Sequence, residues 1–130
     1  FIDNGDGTVV DTVTGLMWVK DLQMAGFGMT MYWYDAINAC ENLFFAGHDD
    51  WRMPNINELM SIVDHSRYSP AFDPMVFTPM PDMWTPYWSS TVCVSWTDGA
   101  WCMYPYDGYK TTWGRPWDMC YVLPVRGGQA

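Results

Sequence analysis

The residues best suited to chemistry in this 130-residue sequence are four cysteines: Cys40, Cys93, Cys102 and Cys120. Four cysteines allow three disulfide connectivities, and sequence alone does not choose among them. A hairpin turning near residues 97–99 would let Cys93 and Cys102 meet, and Cys40 would then pair with Cys120. The alternative is four buried free thiols in a reducing compartment. C-x-x-C spacing does not occur, which disfavours a zinc ribbon or a thioredoxin-type redox site.

Aspartate-rich segments near residues 3–11 and 48–50 invite a metal interpretation. If Gly7 takes the invariant glycine position of an EF-hand loop, the first ligand position falls on Ile2 and the bidentate acid on Val13. Neither side chain can bind an ion. Residues 4–7 instead read Asn-Gly-Asp-Gly, two dipeptides typical of tight hairpin turns. We also interpret the His-Asp-Asp of residues 48–50 as a polar turn, so we expect no metal site and no cofactor.

The aromatic side chains are concentrated late in the chain. The sequence has 9 Trp, 8 Tyr and 6 Phe, and six of the Trp and five of the Tyr lie in residues 84–121. Trp and Tyr present large amphipathic surfaces at low entropic cost, which suits recognition of a sugar or a protein. The alternative is a core filled by aromatic rings, and we expect about half of them to be buried. The predicted binding residues are Trp96, Trp101, Tyr104, Tyr106, Tyr109, Trp113 and Trp117.

The charge balance constrains the partners. The formal net charge is −9, and the six basic residues are scattered along the sequence. Nucleic-acid binding depends on a basic patch, so we expect no nucleic-acid partner. No apolar run approaches the roughly 20 residues that span a bilayer, so we expect no direct membrane insertion. Only 16% of the residues are charged, which favours a surface covered by a ligand or by another copy, as in a homo-oligomer.

The local patterns predict short elements within one domain over residues 1–130. We expect helices over residues 34–43 and 55–64, the second beginning with a capping box of Asn55 and Glu58. A proline-rich segment, residues 66–86, follows as a long loop. The predicted strands cover residues 1–3, 8–11, 16–19, 87–91, 101–104, 109–112 and 119–125.

Six segments, taken in order, resemble a known bacterial family. They are residues 3–9 (DNGDGTV), 14–18 (TGLMW), 36–43 with their cysteine, 49–59 (DDWRMPNINEL), 87–90 (YWSS) and 125–128 (VRGG). As a set they resemble the DUF1566 family, also called the Lcl C-terminal domain family, and they cover nearly the whole chain. More distantly, the WRMPN segment and the closing Arg-Gly-Gly are similar to the formylglycine-generating, sulfatase-modifying superfamily.

These resemblances imply a fold and a location. The implied fold is C-type-lectin-like, an α+β arrangement with two helices, a small twisted antiparallel sheet and long loops. Members of the family are mostly secreted or cell-surface proteins, and the adhesin member is associated with sulfated glycosaminoglycans. The charge of −9 argues against a sulfated polyanion as ligand here.

The expected function is recognition of a glycan or a cell-surface protein through an aromatic-rich loop face, by a secreted or cell-surface domain. The alternative is a structural subunit of an extracellular filament or surface assembly that forms by self-association. We expect no enzymatic activity, since no Ser/His/Asp, paired-carboxylate or phosphate-loop pattern occurs. Formylglycine chemistry would need a reactive cysteine pair, and a disulfide is the preferred interpretation of Cys93 and Cys102.

Overall fold

The structure, a computed structural model, describes residues 1–80 and 82–127, which contain nine short strands and two short helices. The strands are β1 (Ile2–Asp3), β2 (Thr8–Val10), β3 (Leu16–Val19), β4 (Met31–Tyr32), β5 (Tyr87–Val92), β6 (Gly99–Met103), β7 (Lys110–Gly114), β8 (Met119–Cys120) and β9 (Val125–Gly127). The helices are α1 (Trp33–Glu41) and α2 (Ile56–Met60). No helix among the described residues is long and apolar enough to cross a bilayer.

Three antiparallel sheets divide these strands. The first has the order β1-β2-β3-β9, the second pairs β4 with β8, and the third has the order β5-β6-β7. Gly5 and Gly7 adopt positive φ angles of 78° and 92° in the turn between β1 and β2, where a residue with a Cβ would be strained. A parallel bridge between Tyr87 and Tyr121 brings the chain just after β8 beside β5.

The predicted C-type-lectin-like α+β fold is wrong, because the described chain is mostly β. Only α1, with nine residues, is longer than two turns, and α2 stops after five. The capping box is present, since Asn55 Oδ1 accepts from Glu58 N at 2.8 Å and Glu58 Oε1 accepts from Asn55 N at 2.9 Å. Ser61 then caps the C-terminal end, and its hydroxyl donates to the Glu58 carbonyl. The capping box therefore predicts the start of α2 correctly, but α2 is about half as long as the predicted helix over residues 55–64.

The hydrophobic core is built around indole rings. Trp18, Trp51 and Trp88 are at most 2% exposed and belong to one cluster with residues from all three sheets. Trp88 Nε1 donates to the Met31 carbonyl at 2.8 Å, and Trp33 Nε1 donates to the Ser89 carbonyl at 2.9 Å. These bonds satisfy buried donors while joining β5 to the segment that holds β4 and α1.

Two arginine–carboxylate pairs connect the middle of the chain to β9. Arg52 donates to both carboxylate oxygens of Glu58 at 2.7 Å and also to the Gly127 carbonyl at 2.9 Å. Arg126 donates to both oxygens of Asp50 at 2.5 and 2.9 Å. Bidentate pairs of this kind fix geometry as well as charge, so these motif residues hold the scaffold together.

Several predicted elements are confirmed. The opening strands, α1 and the hairpin of β5 and β6 lie close to their predicted positions. The single predicted closing strand is instead divided into β8 and β9, with Pro124 between them. Pro81 of the proline-rich segment and Gly128 of the closing motif lie outside the described residues. One domain over residues 1–130 stays a prediction.

Candidate functional site

A cleft of about 430 Å³ opens where the chain passes from β6 to β7. Its lining residues are Trp84, Tyr104, Tyr106, Asp107 and Tyr109, and we call it the aromatic cleft. The turn below it is closed by hydrogen bonds from Tyr104 N to Tyr109 O at 2.9 Å and from Gly108 N to Tyr104 O at 2.8 Å. Asp107 Oδ1 accepts from Tyr109 N at 3.0 Å, which orients its carboxylate at the rim.

The wall of the aromatic cleft is a pair of stacked rings. Trp84 and Tyr106 have ring centroids 4.7 Å apart and planes only 16° from parallel. Trp84 nevertheless remains 68% exposed. Its backbone is fixed by Asp82, whose Oδ1 accepts from Trp84 N at 2.9 Å. Hydrogen bonds to Asp82, first from the Thr85 hydroxyl and then from Trp84 N, hold the pKa of that carboxyl below its usual value.

A second hollow of about 290 Å³ adjoins the aromatic cleft. Asp107 and Tyr109 line both spaces. The second hollow is completed by Met60, His65, Gly108 and Lys110. The two spaces therefore share an exposed carboxylate and an exposed phenol.

Some of the predicted binding residues lie at the aromatic cleft and others lie elsewhere. Tyr104, Tyr106 and Tyr109 line the aromatic cleft. Trp113 supports it from behind, because its Nε1 donates to the Tyr104 hydroxyl at 3.1 Å. Trp101 is half-buried, and the Lys110 ammonium lies 5.5 Å from its ring centroid.

Trp96 and Trp117 lie elsewhere, at the opposite end of the β6–β7 ladder. Their ring centroids are 6.4 Å apart. They cover Gly99 and Gly114, which are paired in that ladder, and a Cβ on either glycine would come within 2.7 Å of an indole atom. Close packing against the two glycines thus explains the positions of the Trp96 and Trp117 rings. The seven predicted binding residues therefore do not form one surface.

The basic residues near these rings lack carboxylate partners. Among the described residues, every salt bridge uses Lys20, Arg52, Arg67 or Arg126. Lys110 instead rests over Trp101. Arg115 rests over Trp33 and Tyr34 with its guanidinium carbon 4.8 and 5.7 Å from their ring centroids, and it donates to the Thr97 carbonyl.

The structure bears on the predicted Cys93–Cys102 pairing, whereas the predicted Cys40–Cys120 pairing stays a prediction. All four are buried free thiols in this structure. Cys93 N donates to Gly99 O at 2.8 Å whereas Cys102 is paired with Trp88, so about 10 Å of strand separates the two cysteines. A disulfide needs Cα atoms within about 7 Å, and the register therefore does not support a Cys93–Cys102 bridge.

The surroundings of the cysteines also set their reactivity. Burial raises the pKa of Cys40 to about 12, with Glu41 adding to it. A hydrogen bond with the Ser95 side chain lowers the pKa of Cys93. Among the described residues no group of three or more His, Cys, Asp or Glu side chains is close enough to hold a metal ion.

Trp84 and Asp107 are the cleft residues that sequence reasoning did not select. Trp84 lies in the proline-rich segment, where no strand or helix period suggests which side chains face solvent. The available signal was local: Asp82 stands two residues before Trp84, a spacing that favours a turn in which the Asp side chain accepts a backbone hydrogen bond.

Comparison with known proteins gives one family match, and that match spans both the scaffold and the aromatic cleft. No curated protein matched the sequence. The model of the Lcl C-terminal domain family matches residues 7–126. That match spans the pairs Asp50–Arg126 and Arg52–Glu58, the capping box and all three sheets. The chain therefore belongs to the Lcl C-terminal domain family.

Proposed function

We propose that this domain is a non-enzymatic carbohydrate-recognition module of the cell surface, and that a sugar ring binds in the aromatic cleft against Trp84. The supporting observation is the stacked pair of Trp84 and Tyr106, in which the indole is held in place yet 68% exposed. A rigid, exposed ring contributes contact area without losing much side-chain entropy when a ligand binds.

The chemistry of the lining fits a polyhydroxylated ring. Recognition sites are generally apolar, with a few placed polar groups that set ligand orientation. Here the C–H face of a pyranose would pack on Trp84, and its hydroxyls would reach the Asp107 carboxylate and the phenols of Tyr104 and Tyr109. The net charge of −9 and the carboxylate at the rim favour a neutral sugar over a sulfated one.

Catalysis is not part of the proposal. Formylglycine-type chemistry would require Cys93 and Cys102 to act together, and the β5–β6 register separates them. The more distant resemblance to that superfamily therefore lends no residue to the aromatic cleft.

The test is binding of the purified domain to a printed array of neutral, amino and acidic oligosaccharides. We expect the native domain to bind a subset of neutral glycans and Trp84→Ala to lose at least 10-fold in apparent affinity, which corresponds to about 1.4 kcal/mol. The substitution removes the apolar area that the ring buries against the sugar and also the stacking contact, which alone contributes about 0.5–1.5 kcal/mol. Trp117→Ala is the matched control, since Trp117 is 58% exposed at the other end of the β6–β7 ladder.

Three results would overturn this proposal: no glycan bound, equal loss in both variants, or loss only in Trp117→Ala. Circular dichroism and a thermal melt of each variant would show whether a loss of binding reflects unfolding.

Self-association into a surface assembly is the second candidate, favoured by large apolar side chains exposed outside the aromatic cleft. Phe44, Tyr68 and Met75 are 73%, 74% and 82% exposed. Burying such side chains between copies removes apolar area from water, a gain that scales with the area covered. Light scattering at increasing concentration tests it: a homo-oligomer weakened by Phe44→Ser or Met75→Ser supports it, and a monomer at high concentration refutes it.

A further inference from the structure

We propose that two copies of this chain pair edge to edge through β7, as antiparallel strands related by a two-fold axis beside Thr111. The contact joins the third sheets of the two copies into one sheet of six strands, three from each copy. This inference does not depend on the proposed sugar site. It places self-association at a strand edge, and not at the exposed side chains Phe44 and Met75.

The first observation is that β7 has one free side. β7 is the last strand of the third sheet, and among the described residues β6 is the only strand paired with it. Along an antiparallel ladder, successive residues point their backbone N–H and C=O groups alternately toward the partner strand and away from it. Tyr104 N donates to Tyr109 O at 2.9 Å and Arg115 N donates to Asp98 O at 2.7 Å. The odd-numbered residues of β7 therefore bond to β6, and the even-numbered ones point outward.

The second observation concerns the three outward residues, Lys110, Thr112 and Gly114. Gly114 is already satisfied, because its N–H donates to Asp118 Oδ2 at 2.7 Å and its carbonyl accepts from Asp118 N at 2.9 Å. Within residues 1–80 and 82–127, no protein group bonds to the outward N–H or C=O of Lys110 or Thr112. We call these four backbone groups the open edge. Unpaired groups on an edge strand form a template for another strand.

The open edge is complementary to itself. When two β7 strands run antiparallel with Thr111 facing Thr111 of the second copy, Lys110 of each copy lies opposite Thr112 of the other. Each of these two pairs exchanges two N–H···O=C bonds, so every group of both open edges is used. An axis at Thr112 would instead place Lys110 opposite Gly114, whose backbone groups are held by Asp118. The axis beside Thr111 is therefore the one that leaves no group unpaired.

The charges around β7 favour a second copy as the occupant. Residues 109–117 contain no carboxylate and two of the six basic residues, Lys110 and Arg115, in a chain of net charge −9. In the part of the chain that the structure describes, neither one makes a salt bridge. Two copies can thus approach along β7 without bringing carboxylates together, and the basic side chains of each copy meet the net negative charge of the other.

The register adds a specific complement to this general attraction. It directs the end of β7 that carries Arg115 toward the turn that holds the exposed Asp107 carboxylate of the second copy. An unrelated extended peptide lacks this complement and gains only the four backbone bonds, since Asp118 limits the open edge to two residues. The second copy is therefore the occupant that fits best.

Sedimentation equilibrium of the purified domain over a series of concentrations provides the test. We expect the weight-average mass to rise from 15.0 kDa toward twice that value as the concentration increases. Thr112→Pro should weaken the dimer at least about 10-fold, because it removes two of the four intermolecular bonds. It spares the β6–β7 ladder, since the Thr112 N–H points outward and proline is accepted on an edge strand at such a position. Thr112→Val, the matched control, keeps the donor and should leave the affinity unchanged.

A pair of charge variants tests the position of the axis. Facing residues of a non-hydrogen-bonded antiparallel pair have Cα atoms about 4.5 Å apart, so like charges there repel and opposite charges attract. Thr111→Lys alone and Thr111→Glu alone should each be monomeric, whereas an equimolar mixture of the two should regain the dimer. Circular dichroism and a thermal melt show that each variant is folded. If Thr112→Pro does not fold, this pair decides the outcome by itself.

A native domain that stays monomeric at its highest soluble concentration would overturn the proposal. So would a dimer that persists in folded Thr112→Pro and in both Thr111 variants, or a mixture of Thr111→Lys and Thr111→Glu that stays monomeric. A dimer lost in Phe44→Ser but kept in folded Thr112→Pro would refute the β7 contact while supporting self-association through another surface. None of these results bears on the glycan array, so the sugar proposal stands or fails separately.

Discussion

The ion pair between Arg52 and Glu58 allows the sharpest test of the scaffold. Glu58→Gln removes the charge while its amide oxygen can still accept from Asn55 N, so the capping box survives. The pair is bidentate at 2.7 Å, and the side chains of Arg52 and Glu58 are 38% and 15% exposed. Exposed pairs contribute about 0–1 kcal/mol and fully buried ones cost about 3–5 kcal/mol when broken. We therefore expect Glu58→Gln to reduce the free energy of unfolding by about 2 kcal/mol.

The matched control is Asp3→Asn, which removes the charge from the Lys20–Asp3 pair at 2.6 Å, where the Asp3 side chain is 49% exposed. Its amide oxygen can still accept from Gly5 N, so only the exposed ion pair is lost. We expect a loss below about 0.5 kcal/mol. Urea unfolding at pH 7 measures both variants. Equal losses in the two variants would refute the reasoning that burial and bidentate geometry give the Arg52–Glu58 pair its value.

The same variant predicts a pH dependence. Burial raises the pKa of Glu58, but hydrogen bonds from Arg52 and from Asn55 N outweigh that effect and leave the pKa below its usual value. A lowered pKa in the folded state means that the stabilisation is fully present above the unfolded pKa, near 4.3, and is lost as the pH falls through the folded value. The difference in unfolding free energy between native domain and Glu58→Gln should therefore be full at pH 7 and shrink below about pH 4. A difference that is constant between pH 7 and pH 3 would contradict this.

Two further predictions concern a glycine beneath the aromatic cleft and Cys93, which is 8% exposed whereas the other three cysteines are 0% exposed. Gly108→Ala should lower the free energy of unfolding, measured in urea, by about 2–4 kcal/mol, because φ is +75° and the new Cβ would lie 2.5 Å from a Val63 methyl. Gly26→Ala is the matched control. Gly26 has a φ of +78° and nothing within 4 Å of its Cβ position, so we expect a loss of about 1 kcal/mol. Equal costs would show that the clash is relieved by a shift of Val63. Iodoacetamide at pH 8 should modify Cys93 at least 10-fold faster than Cys40 in the native domain, because its pKa is lowered and that of Cys40 is raised to about 12. Mass spectrometry measures the rate at which iodoacetamide modifies each cysteine. Comparable rates for Cys93 and Cys40 would contradict the burial of Cys40.

Local signals in the sequence predicted the short elements well. Asn-Gly and Asp-Gly at residues 4–7 fix a turn through the backbone freedom of glycine, and β1 and β2 follow on either side. The Asn55–Glu58 capping box correctly placed the start of α2. Its end depends on the turn at Ser61 and on packing against β5 and β6, which no local pattern contains.

The prediction of the fold class was wrong for a related reason. The implied C-type-lectin-like arrangement assumes two substantial helices beside one sheet, but sheet membership here depends on pairings between distant segments. Examples are Met31 with Cys120 and Leu16 with Gly127. Such strand pairings depend on packing in the whole molecule, so the local sequence of a strand does not predict which strand it pairs with.

The aromatic residues predicted to bind a ligand do not lie on one surface of the structure. Tyr104 and Tyr106 line the aromatic cleft, whereas Trp96 and Trp117 cover glycines of the ladder. Composition gives the number of rings and not the direction in which each one points. The segments that resemble the family also do not indicate a ligand, because their arginines and carboxylates hold β9 and α2 in place.

The position of β9 in the first sheet has a consequence for biosynthesis. β9 pairs with β3, which lies more than 100 positions earlier, and Val125 also exchanges two backbone hydrogen bonds with Arg52. During translation β1, β2 and β3 leave the ribosome first, but their sheet lacks an edge strand until residue 127 has emerged. Long-range pairing of this kind slows folding and keeps strand edges exposed. The nascent chain therefore exposes a strand edge to which chaperones can bind until synthesis of the domain is almost finished.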